Sequence, residues 1–231
     1  MKTTIIIPCF NEKKTIKQLI NKVNIINIKK EIIIVDDGSF DGTTAILKKI
    51  KHKNIKIIFK KKNEGKGSAI KSALKLIKGD LVLIQDADLE YNPNDYYKLI
   101  KPFSNKKIKV VYGSRVLNKK RYLLKNDLLK NFRVFANQLL TFVSNFFNNQ
   151  KLTDAHTCYK VFRKKLFLSL KLKENGFSFC PEVTTKISKK NIKIYEVPIS
   201  YNGRKISDGK KIRFTDALSA FITIIKYRFF Y

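Results

Sequence analysis

Short apolar runs alternate with segments of helical spacing along the first half of the chain. A short unbroken run of β-branched or aliphatic residues is typical of a strand buried on both faces. Such runs predict strands at Thr3–Ile7, Ile32–Val35, Ile55–Phe59, Leu81–Ile84 and Val110–Tyr112. The segments between them predict helices at Lys13–Val23, Asp41–Ile50 (with Asp41 as N-cap), Ser68–Ile77 and Asn94–Lys101. This order predicts an α/β fold with a mainly parallel central sheet and helices on both faces.

The second half of the chain has a different pattern. Leu, Phe and Val recur at helical spacing over Tyr122–Asn149, with Lys, Arg and Asn between them. A helix near Pro181–Lys189, a strand at Ile194–Val197 and a helix at Thr215–Tyr227 are predicted after it. Because no internal repeat and no linker is visible, residues 1–231 are predicted to form a single domain.

Composition excludes several classes of protein. Hydrophobic residues make up 44% of the chain, with only 9 Gly and 5 Pro, so collagen-like and disordered classes are excluded. The net charge is +31, which attracts nucleic acid, anionic membranes or phosphorylated substrates, although lysines spread over every surface would give the same value. Three scattered cysteines favour a reducing compartment over a disulfide framework. Neither a signal peptide nor a transmembrane segment is predicted.

Polar clusters follow the predicted strands at the edge where parallel sheets bind ligands. Asp36-Asp37-Gly38 comes directly after one strand, where the carboxylates can accept hydrogen bonds from a base and a ribose or can form an ordinary turn. Asp86-Ala87-Asp88 follows another strand. Its i, i+2 spacing places both carboxylates on one side, an arrangement that suits a divalent cation.

A third cluster is rich in glycine. In Asn63-Glu64-Gly65-Lys66-Gly67 the glycines allow close approach of a ligand to the backbone, and Lys66 can neutralise a phosphate. The spacing is neither that of a Walker loop nor that of a dinucleotide-binding fingerprint. The cluster therefore indicates phosphate binding of another kind.

These clusters, together with Pro8-Cys9-Phe10-Asn11-Glu12, resemble the family 2 glycosyltransferases of the GT-A fold. The likeness is greatest to the dolichol-phosphate mannosyltransferase-like branch, which comprises polyprenyl-phosphate glycosyltransferases. Later motifs share it, namely Gly113-Ser114-Arg115, Asp154 to Phe162, Pro181-Glu182-Val183, Glu196 to Tyr201, Gly203-Arg204 and Gly209 to Ile212. The ordered set covers nearly the whole chain, which makes the resemblance specific.

The resemblance implies a nucleotide-sugar donor, linked to UDP or GDP, bound by residues 1–115. Residues implied in donor binding are Pro8, Asn11, Glu12, Asp36, Asp37, Gly38, Gly65, Lys66, Gly67, Asp86 and Ala87. Asp86 and Asp88 would hold Mg²⁺ or Mn²⁺ on the donor diphosphate. Transfer would proceed with inversion, and residues 116–231 would form the acceptor side.

The acceptor determines whether a general base is needed. A phosphate monoester, with a second pKa of about 6, is largely anionic at neutral pH and needs cations rather than a base. Candidate cations are Arg115, Arg133, Arg204, Lys210 and Lys211. A hydroxyl acceptor would need a carboxylate such as Asp154 or Glu182, although Asp154 could equally cap a turn and Glu182 begin a helix.

The sequence therefore predicts metal-dependent transfer of a hexose to a polyprenyl phosphate at a membrane surface. A hydroxyl acceptor is the first alternative, and a nucleotidyltransferase or a non-enzymatic nucleic-acid-binding protein are weaker ones. Basic segments with large apolar residues, from Lys119 to Phe147 and from Phe221 to Tyr231, are predicted to contact an anionic membrane. The expected location is the cytoplasmic face of the membrane, with no nucleic-acid partner.

Overall fold

The structure is a computed structural model that describes residues 1–117, 128–204 and 214–231, apart from the side chains of residues 128–133 and 214. Seven strands are found: β1 (Thr3–Cys9), β2 (Lys30–Asp36), β3 (Ile55–Phe59), β4 (Leu81–Ile84), β5 (Val110–Ser114), β6 (Lys160–Arg163) and β7 (Tyr195–Pro198). The helices are α1 (Ile16–Ile25), α2 (Thr43–Lys48), α3 (Lys66–Ala73), α4 (Tyr96–Ile100), α5 (Leu128–Asn148), α6 (Lys164–Ser169), α7 (Phe179–Lys189) and α8 (Phe214–Phe229). Short 3₁₀ turns lie at Leu74–Leu76, Pro93–Asp95 and Lys101–Ser104.

The strands form one mixed sheet in the order β3-β2-β1-β4-β6-β5-β7. All neighbouring pairs are parallel except those of β6, which runs antiparallel to both β4 and β5. The predicted α/β class with a mainly parallel sheet is therefore confirmed. Because β6 and β7 come from the second half of the chain, both halves contribute to the same sheet.

The central strands β1, β2, β4 and β5 are largely buried on both faces, as their apolar runs predicted, whereas the edge strands β3 and β7 are partly exposed. Ile5 and Ile7 of β1 pack on one side with α1 and α4, whereas Ile6 packs on the other side with α3 and α7. Successive side chains of a strand point to opposite faces, so each run supplies both layers of the core. These two layers hold the strand ends in place at the edge where the polar clusters lie.

Two predictions about local structure need correction. The strand β6 and the helix α6 were not predicted, because a four-residue segment that includes Lys160 and Arg163 shows neither alternation nor an apolar run. Asp41 is not the N-cap, since α2 begins at Thr43 with Gly42 in the capping position. The Asp41 carboxylate still accepts a hydrogen bond from the Thr43 amide at 2.9 Å, one residue further out than expected. The first residues of the long predicted helix, 122–127, lie outside the described residues.

Candidate active site

The carboxyl ends of β2, β1 and β4 lie side by side, and the predicted polar clusters follow them. Cys9 at the end of β1 pairs with Asp36 at the end of β2, and Ile6 pairs with Ile84 at the end of β4. The segments that begin at Phe10, Asp37 and Gln85 therefore leave the sheet at one edge. The structure thus brings the acidic clusters together as the strand order required.

Asp36 and Asp37 both organise the loops around them. Asp36 accepts hydrogen bonds from the Ser39 amide at 3.1 Å and from the Thr44 hydroxyl. Asp37 binds the Lys60 ammonium at 2.6 Å and the Gly65 amide at 2.7 Å. These contacts are those expected if Asp36-Asp37-Gly38 forms an ordinary turn, and they connect the end of β2 to the glycine-rich loop.

Asn11 and Pro8 lie at the end of β1. The Asn11 amide donates to the Ser39 hydroxyl at 2.8 Å, and its side-chain oxygen accepts from the Phe40 amide at 3.0 Å. Pro8 is paired with Val35 inside the sheet. Gly38 has a φ of +76°, and a Cβ there would lie 2.6 Å from the Lys62 carbonyl carbon. The loops after β1 and β2 are thereby joined into one wall of the site.

Lys66 points from the start of α3 to Asp86, and the two side chains form an ion pair. The Lys66 ammonium also lies 3.0 Å from the Cys158 sulfur. Burial alone would lower the pKa of Lys66, but the Asp86 carboxylate raises it well above its usual value. Burial would raise the pKa of Asp86, and Lys66 instead lowers it. Both groups are therefore charged.

Gly65 and Gly67 make room for the protein's own backbone, a use that the sequence did not predict, and their predicted role toward a ligand stays a prediction. A Cβ on Gly65, whose φ is +97°, would lie 2.6 Å from the Asn175 carbonyl oxygen. A Cβ on Gly67 would lie 2.3 Å from the Glu174 carbonyl oxygen. The glycines therefore let α3 begin against the 174–176 segment, which aims Lys66 at the site.

Asp88 lies in the most acidic part of the site. Burial raises its pKa to about 7, with further contributions from Asp86 and Glu90, and the Arg204 guanidinium opposes this shift. Arg204 lies 3.4 Å from the Asp88 carboxylate and forms two hydrogen bonds, at 3.0 and 3.1 Å, with Glu12. Arg204, predicted to meet the acceptor, is thus placed among the donor-side carboxylates. Ala87, between the two aspartates, is buried.

Arg115 and Asp154 form a buried, bidentate ion pair next to this edge. Arg115 donates from Nε at 2.6 Å and from Nη2 at 2.8 Å, and its backbone amide also binds Asp154 at 3.1 Å. Burial would raise the pKa of Asp154, but Arg115 holds it far below its usual range. Asn137 on α5 also donates to Asp154, at 3.3 Å. A carboxylate held in this way is a poor general base.

Comparison with known proteins decides which family has this arrangement. The model of glycosyl transferase family 2 matches residues 4–170, which is most of the chain. The chain belongs to glycosyl transferase family 2.

Named relatives are similar over most of this glycosyltransferase. It is 32% identical over 214 residues to the UDP-N-acetylglucosamine--dolichyl-phosphate N-acetylglucosaminyltransferase of Methanococcus voltae, covering 84% of this chain and 83% of the relative. It is 28% identical over 224 residues to the dolichyl-phosphate beta-glucosyltransferase of Saccharomyces cerevisiae, covering 86% of this chain and 66% of the relative.

A solved structure shares the fold. The structure of glucosyl-3-phosphoglycerate synthase from Mycobacterium tuberculosis in complex with Mn²⁺, uridine diphosphate and phosphoglyceric acid superposes with a TM-score of 0.70. The match covers 99% of this chain and 78% of that chain at 15% identity, so it shows the fold alone. The predicted GT-A type of fold is therefore confirmed.

Glu182 has contacts that favour the helix-start alternative over a catalytic base. Its carboxylate is fully buried and accepts hydrogen bonds from the Lys173 amide at 2.6 Å and the Glu174 amide at 2.9 Å. The Lys186 ammonium, one turn along α7, also binds it at 2.6 Å. Glu182 therefore fixes the segment on which α3 begins, and its oxygens are occupied by protein donors.

Several residues of the glycosyltransferase site were not singled out from the sequence. Glu90 binds the Arg204 backbone amide at 2.7 Å and the Tyr201 hydroxyl at 2.6 Å. Its position continues the i, i+2 spacing of Asp86 and Asp88, and this signal could have identified it. The Tyr201 ring lies 5.1 Å from the Arg115 guanidinium. Tyr201 ends a motif that carries the family resemblance, but that motif assigns it no contact with Arg115.

Lys160 is a second omission. It is fully buried, and its ammonium donates to the carbonyl oxygens of Ala155 at 2.9 Å and Thr157 at 2.6 Å. The ammonium also lies 3.8 Å from the centre of the Tyr112 ring. Lys160 therefore holds the segment that carries Asp154. It lies within the Asp154 to Phe162 motif, but nothing in that motif distinguished its role from that of the many other lysines.

Some predicted cations lie where no contact can be assigned. Arg133 is on α5, but its side chain is outside the description, and Lys210 and Lys211 lie outside the described residues altogether. Within the described residues, no group of three His, Cys, Asp or Glu side chains is placed to hold a metal ion.

Proposed function

We propose that this family 2 glycosyltransferase transfers a hexose from UDP or GDP to a polyprenyl phosphate, with inversion at the anomeric carbon. The carrying observation is that the buried Arg115–Asp154 pair lies beside the acidic edge formed by Asp86 and Asp88. The Arg115 charge is near enough to lower the pKa of Asp86, and its guanidinium lies 5.1 Å from the Tyr201 ring. The donor diphosphate, which needs a cation, would bind at the acidic edge, and the anionic acceptor would bind beside it at Arg115. The dolichyl-phosphate enzymes among the relatives support the same acceptor class.

The acidic edge fits a divalent cation. Burial, followed by the charges of Asp86 and Glu90, raises the pKa of Asp88 to about 7, and a bound cation would relieve this unfavourable environment. Mg²⁺ is commonly held by one or two carboxylates together with substrate phosphates, so Asp86 and Asp88 suffice for Mg²⁺ or Mn²⁺. When bound, such an ion would neutralise charge on the leaving nucleoside diphosphate. The Mn²⁺ and uridine diphosphate complex of the structural neighbour supports this assignment.

The acceptor side favours a phosphate over a hydroxyl. Asp154 is held by Arg115 and Glu182 by two backbone amides and Lys186, so neither carboxylate considered as a base is poised to take a proton. An acceptor phosphate needs none, because its oxygen is already anionic. The Nη1 nitrogen of Arg115 is not among the atoms that bind Asp154, and we assign it to the acceptor phosphate.

The reaction is then a single displacement. An acceptor phosphate oxygen forms a bond to the anomeric carbon from the face opposite the bond to the nucleoside diphosphate, which breaks and carries its electron pair away. Lys66 and the glycine-rich loop lie on the donor side, where positive charge stabilises the leaving group. Membership in the family removes the nucleotidyltransferase and the non-enzymatic nucleic-acid binder from consideration, and a hydroxyl acceptor remains the alternative.

Because a polyprenyl phosphate acceptor lies in a membrane, the reaction would occur at the membrane surface. We propose that the protein attaches peripherally to the cytoplasmic face. No helix among the described residues combines the length and the apolar character needed to cross a bilayer. The charge of +31 would favour an anionic leaflet.

The test incubates the protein with UDP- and GDP-sugars, Mg²⁺ or Mn²⁺, and a short-chain polyprenyl phosphate. A lipid-extractable, acid-labile sugar phosphate and a released nucleoside diphosphate are expected. Asp88→Asn should lower the rate by about 10²- to 10³-fold. Asp80→Asn is the matched control, because Asp80 precedes the opposite end of β4 and should leave the rate unchanged.

The same assay separates the two acceptor classes. With a phosphate acceptor, Glu182→Gln should slow transfer much less than Arg115→Ala. Sugar transferred only to a saccharide or lipid hydroxyl, together with the reverse ranking of these variants, would support the alternative. Failure of every donor and acceptor combination would contradict the proposal.

A further inference from the structure

In helix α5 the polar side chains face the protein and the large apolar ones face outward, the reverse of an ordinary surface helix. The residues on its inner face are buried and polar or small, namely Asn137 (half-buried), Thr141, Ser144 and Asn148. The residues on its outer face are large, apolar and 52 to 74% exposed, namely Phe135, Leu139, Phe142 and Phe146. Both sets recur at intervals of three and four, so each forms a continuous stripe.

The inner stripe has an evident structural use. Asn137 donates to Asp154, and the Thr141 hydroxyl accepts a hydrogen bond from the Ala155 amide at 3.3 Å. Asn148 donates to the Thr185 hydroxyl at 3.2 Å. These contacts explain why polar residues face inward. They do not explain the stripe of exposed phenylalanine and leucine side chains, which is unfavourable in water and indicates a binding surface.

Helix α8 extends the apolar stripe into a wider surface. It packs beside α5 and exposes Leu218, Phe221, Ile222 and Phe229. Phe147 joins the two helices, with its ring 5.2 Å from that of Phe146 and 5.9 Å from that of Phe229. We call these exposed residues of α5 and α8 the apolar face.

The border of the apolar face at the end of α8 is basic. The exposed Lys173 has its ammonium 4.2 Å from the centre of the Tyr231 ring. Arg228 lies on α8 itself, and the acidic neighbour Glu174 is neutralised by Lys226 at 2.9 Å. Two copies of a chain of charge +31 would repel each other across such a border, whereas an anionic bilayer would be attracted.

We infer that the apolar face docks on an anionic lipid bilayer, with its aromatic residues in the interfacial region and the basic border on the headgroups. The inference deepens the proposed function and rests on it for one point only, that the acceptor is lipid-borne. Asn137 on the inner side of α5 reaches Asp154 and Arg115, so only the thickness of one helix separates the docked lipid from that pair.

The test measures flotation of the full chain with vesicles made of equal parts of phosphatidylcholine and phosphatidylglycerol, without nucleotide sugar or polyprenyl phosphate. For the double variant Phe142→Ser/Phe146→Ser, partitioning onto the vesicles should fall by about tenfold or more, because two apolar side chains no longer enter the bilayer. The control Ile25→Ser/Leu168→Ser removes exposed apolar side chains on α1 and α6 and should change partitioning by less than about twofold.

A charge variant tests the basic border. Lys173→Gln and Arg228→Gln should each lower partitioning on the anionic vesicles by about fivefold. They should have no such effect on vesicles of phosphatidylcholine alone. Circular dichroism and thermal unfolding of all variants establish that they are folded.

The outcomes separate docking from catalysis. Weak binding of the parent chain to anionic vesicles, or equal binding of Phe142→Ser/Phe146→Ser, would overturn the docking inference while transfer to a soluble acceptor could still occur. A parent dimer that the same variant dissociates, with vesicle binding unchanged, would also overturn it in favour of a second copy as occupant. If the parent chain binds the vesicles and Phe142→Ser/Phe146→Ser does not, docking is supported. If the parent chain then transfers no sugar to any acceptor, the proposed function is refuted while docking stands.

Discussion

The acidic edge and helix α5 place polar residues by opposite rules. At the ends of β1, β2 and β4, apolar residues are buried in the sheet and carboxylates follow where the strands end. On α5, polar residues are buried and phenylalanines are exposed. Burial in this protein therefore follows the availability of partners rather than polarity alone.

The two regions balance their polar groups in different ways. At the edge, carboxylates are met by cations, as in the pairs Asp37–Lys60 and Asp86–Lys66. On the inner face of α5, neutral amides and hydroxyls bond mainly to one another and to the backbone, although the buried Asn148 Oδ1 has no hydrogen-bond partner among the described residues. The regions meet at Asn137, which binds Asp154 of the buried ion pair. Changes at and around that meeting point should show how far the two regions depend on each other.

The largest effect is expected from Arg115→Ala, which breaks the link between the regions. It leaves the buried Asp154 carboxylate without its cation, so the free energy of unfolding should fall by about 3–5 kcal/mol. Urea denaturation measures this loss. In Arg115→Ala/Asp154→Ala no unpaired charge remains, so the double variant should lose less than the sum of the single variants. Additive losses would show that the pair is not a unit.

A second prediction concerns His156, which lies in the segment between the edge and α5. Burial, followed by the nearby Lys160 charge, lowers the pKa of His156 to about 4. The unfolded chain binds this proton near pH 6.5, so between pH 7 and 4 the unfolded state holds more protons and stability falls as pH falls. The loss should approach about 2–3 kcal/mol.

The measurement compares the free energy of unfolding of the parent chain and of His156→Asn across that pH range. The difference between them should shrink as the pH falls, because only the parent loses this stabilisation. Parallel curves would contradict the assigned pKa. His156 therefore reports on burial beside Asp154 and the Leu140 backbone of α5.

The glycine-rich loop gives a third, smaller effect confined to the acidic edge. In Gly67→Ala the new methyl group would collide with the Glu174 carbonyl oxygen, so stability should fall by about 1–3 kcal/mol. Gly176→Ala, in the same contact, is the control, because a Cβ there meets nothing within 4 Å. Thermal unfolding should separate the two variants, and equal melting temperatures would refute the close approach of α3 to this segment.

The smallest effects compare the two faces of α5 directly. Asn145 binds both the amide and the carbonyl of Leu152, so Asn145→Ala should cost about 1–2 kcal/mol. Phe142→Ser on the outer face should change stability in water by less than about 0.5 kcal/mol. The reverse order, measured by urea denaturation, would mean that the outer face is packed against protein.

Much of the fold could be predicted because it is encoded locally. The runs at Ile32–Val35 and Leu81–Ile84 are apolar without interruption, and the structure places both inside buried strands. The acidic residues that follow them were also visible, since strand ends in a parallel sheet share an edge. The segment Lys160–Arg163 could not be recognised as a strand, because its pairing with β4 and β5 supplies what its own pattern lacks.

The α/β order, the burial of the central strands and the chemical character of the acidic edge follow from periodicity and from residue types next to strands, so they can be read from the chain alone. That β6 runs antiparallel and so brings Asp154 to the edge beside Arg115 depends on long-range contacts. So do the close approach of Gly67 to a neighbouring segment and the outward direction of Phe135, Phe142 and Phe146. These features depend on which distant segments come into contact, and no local pattern carries that information.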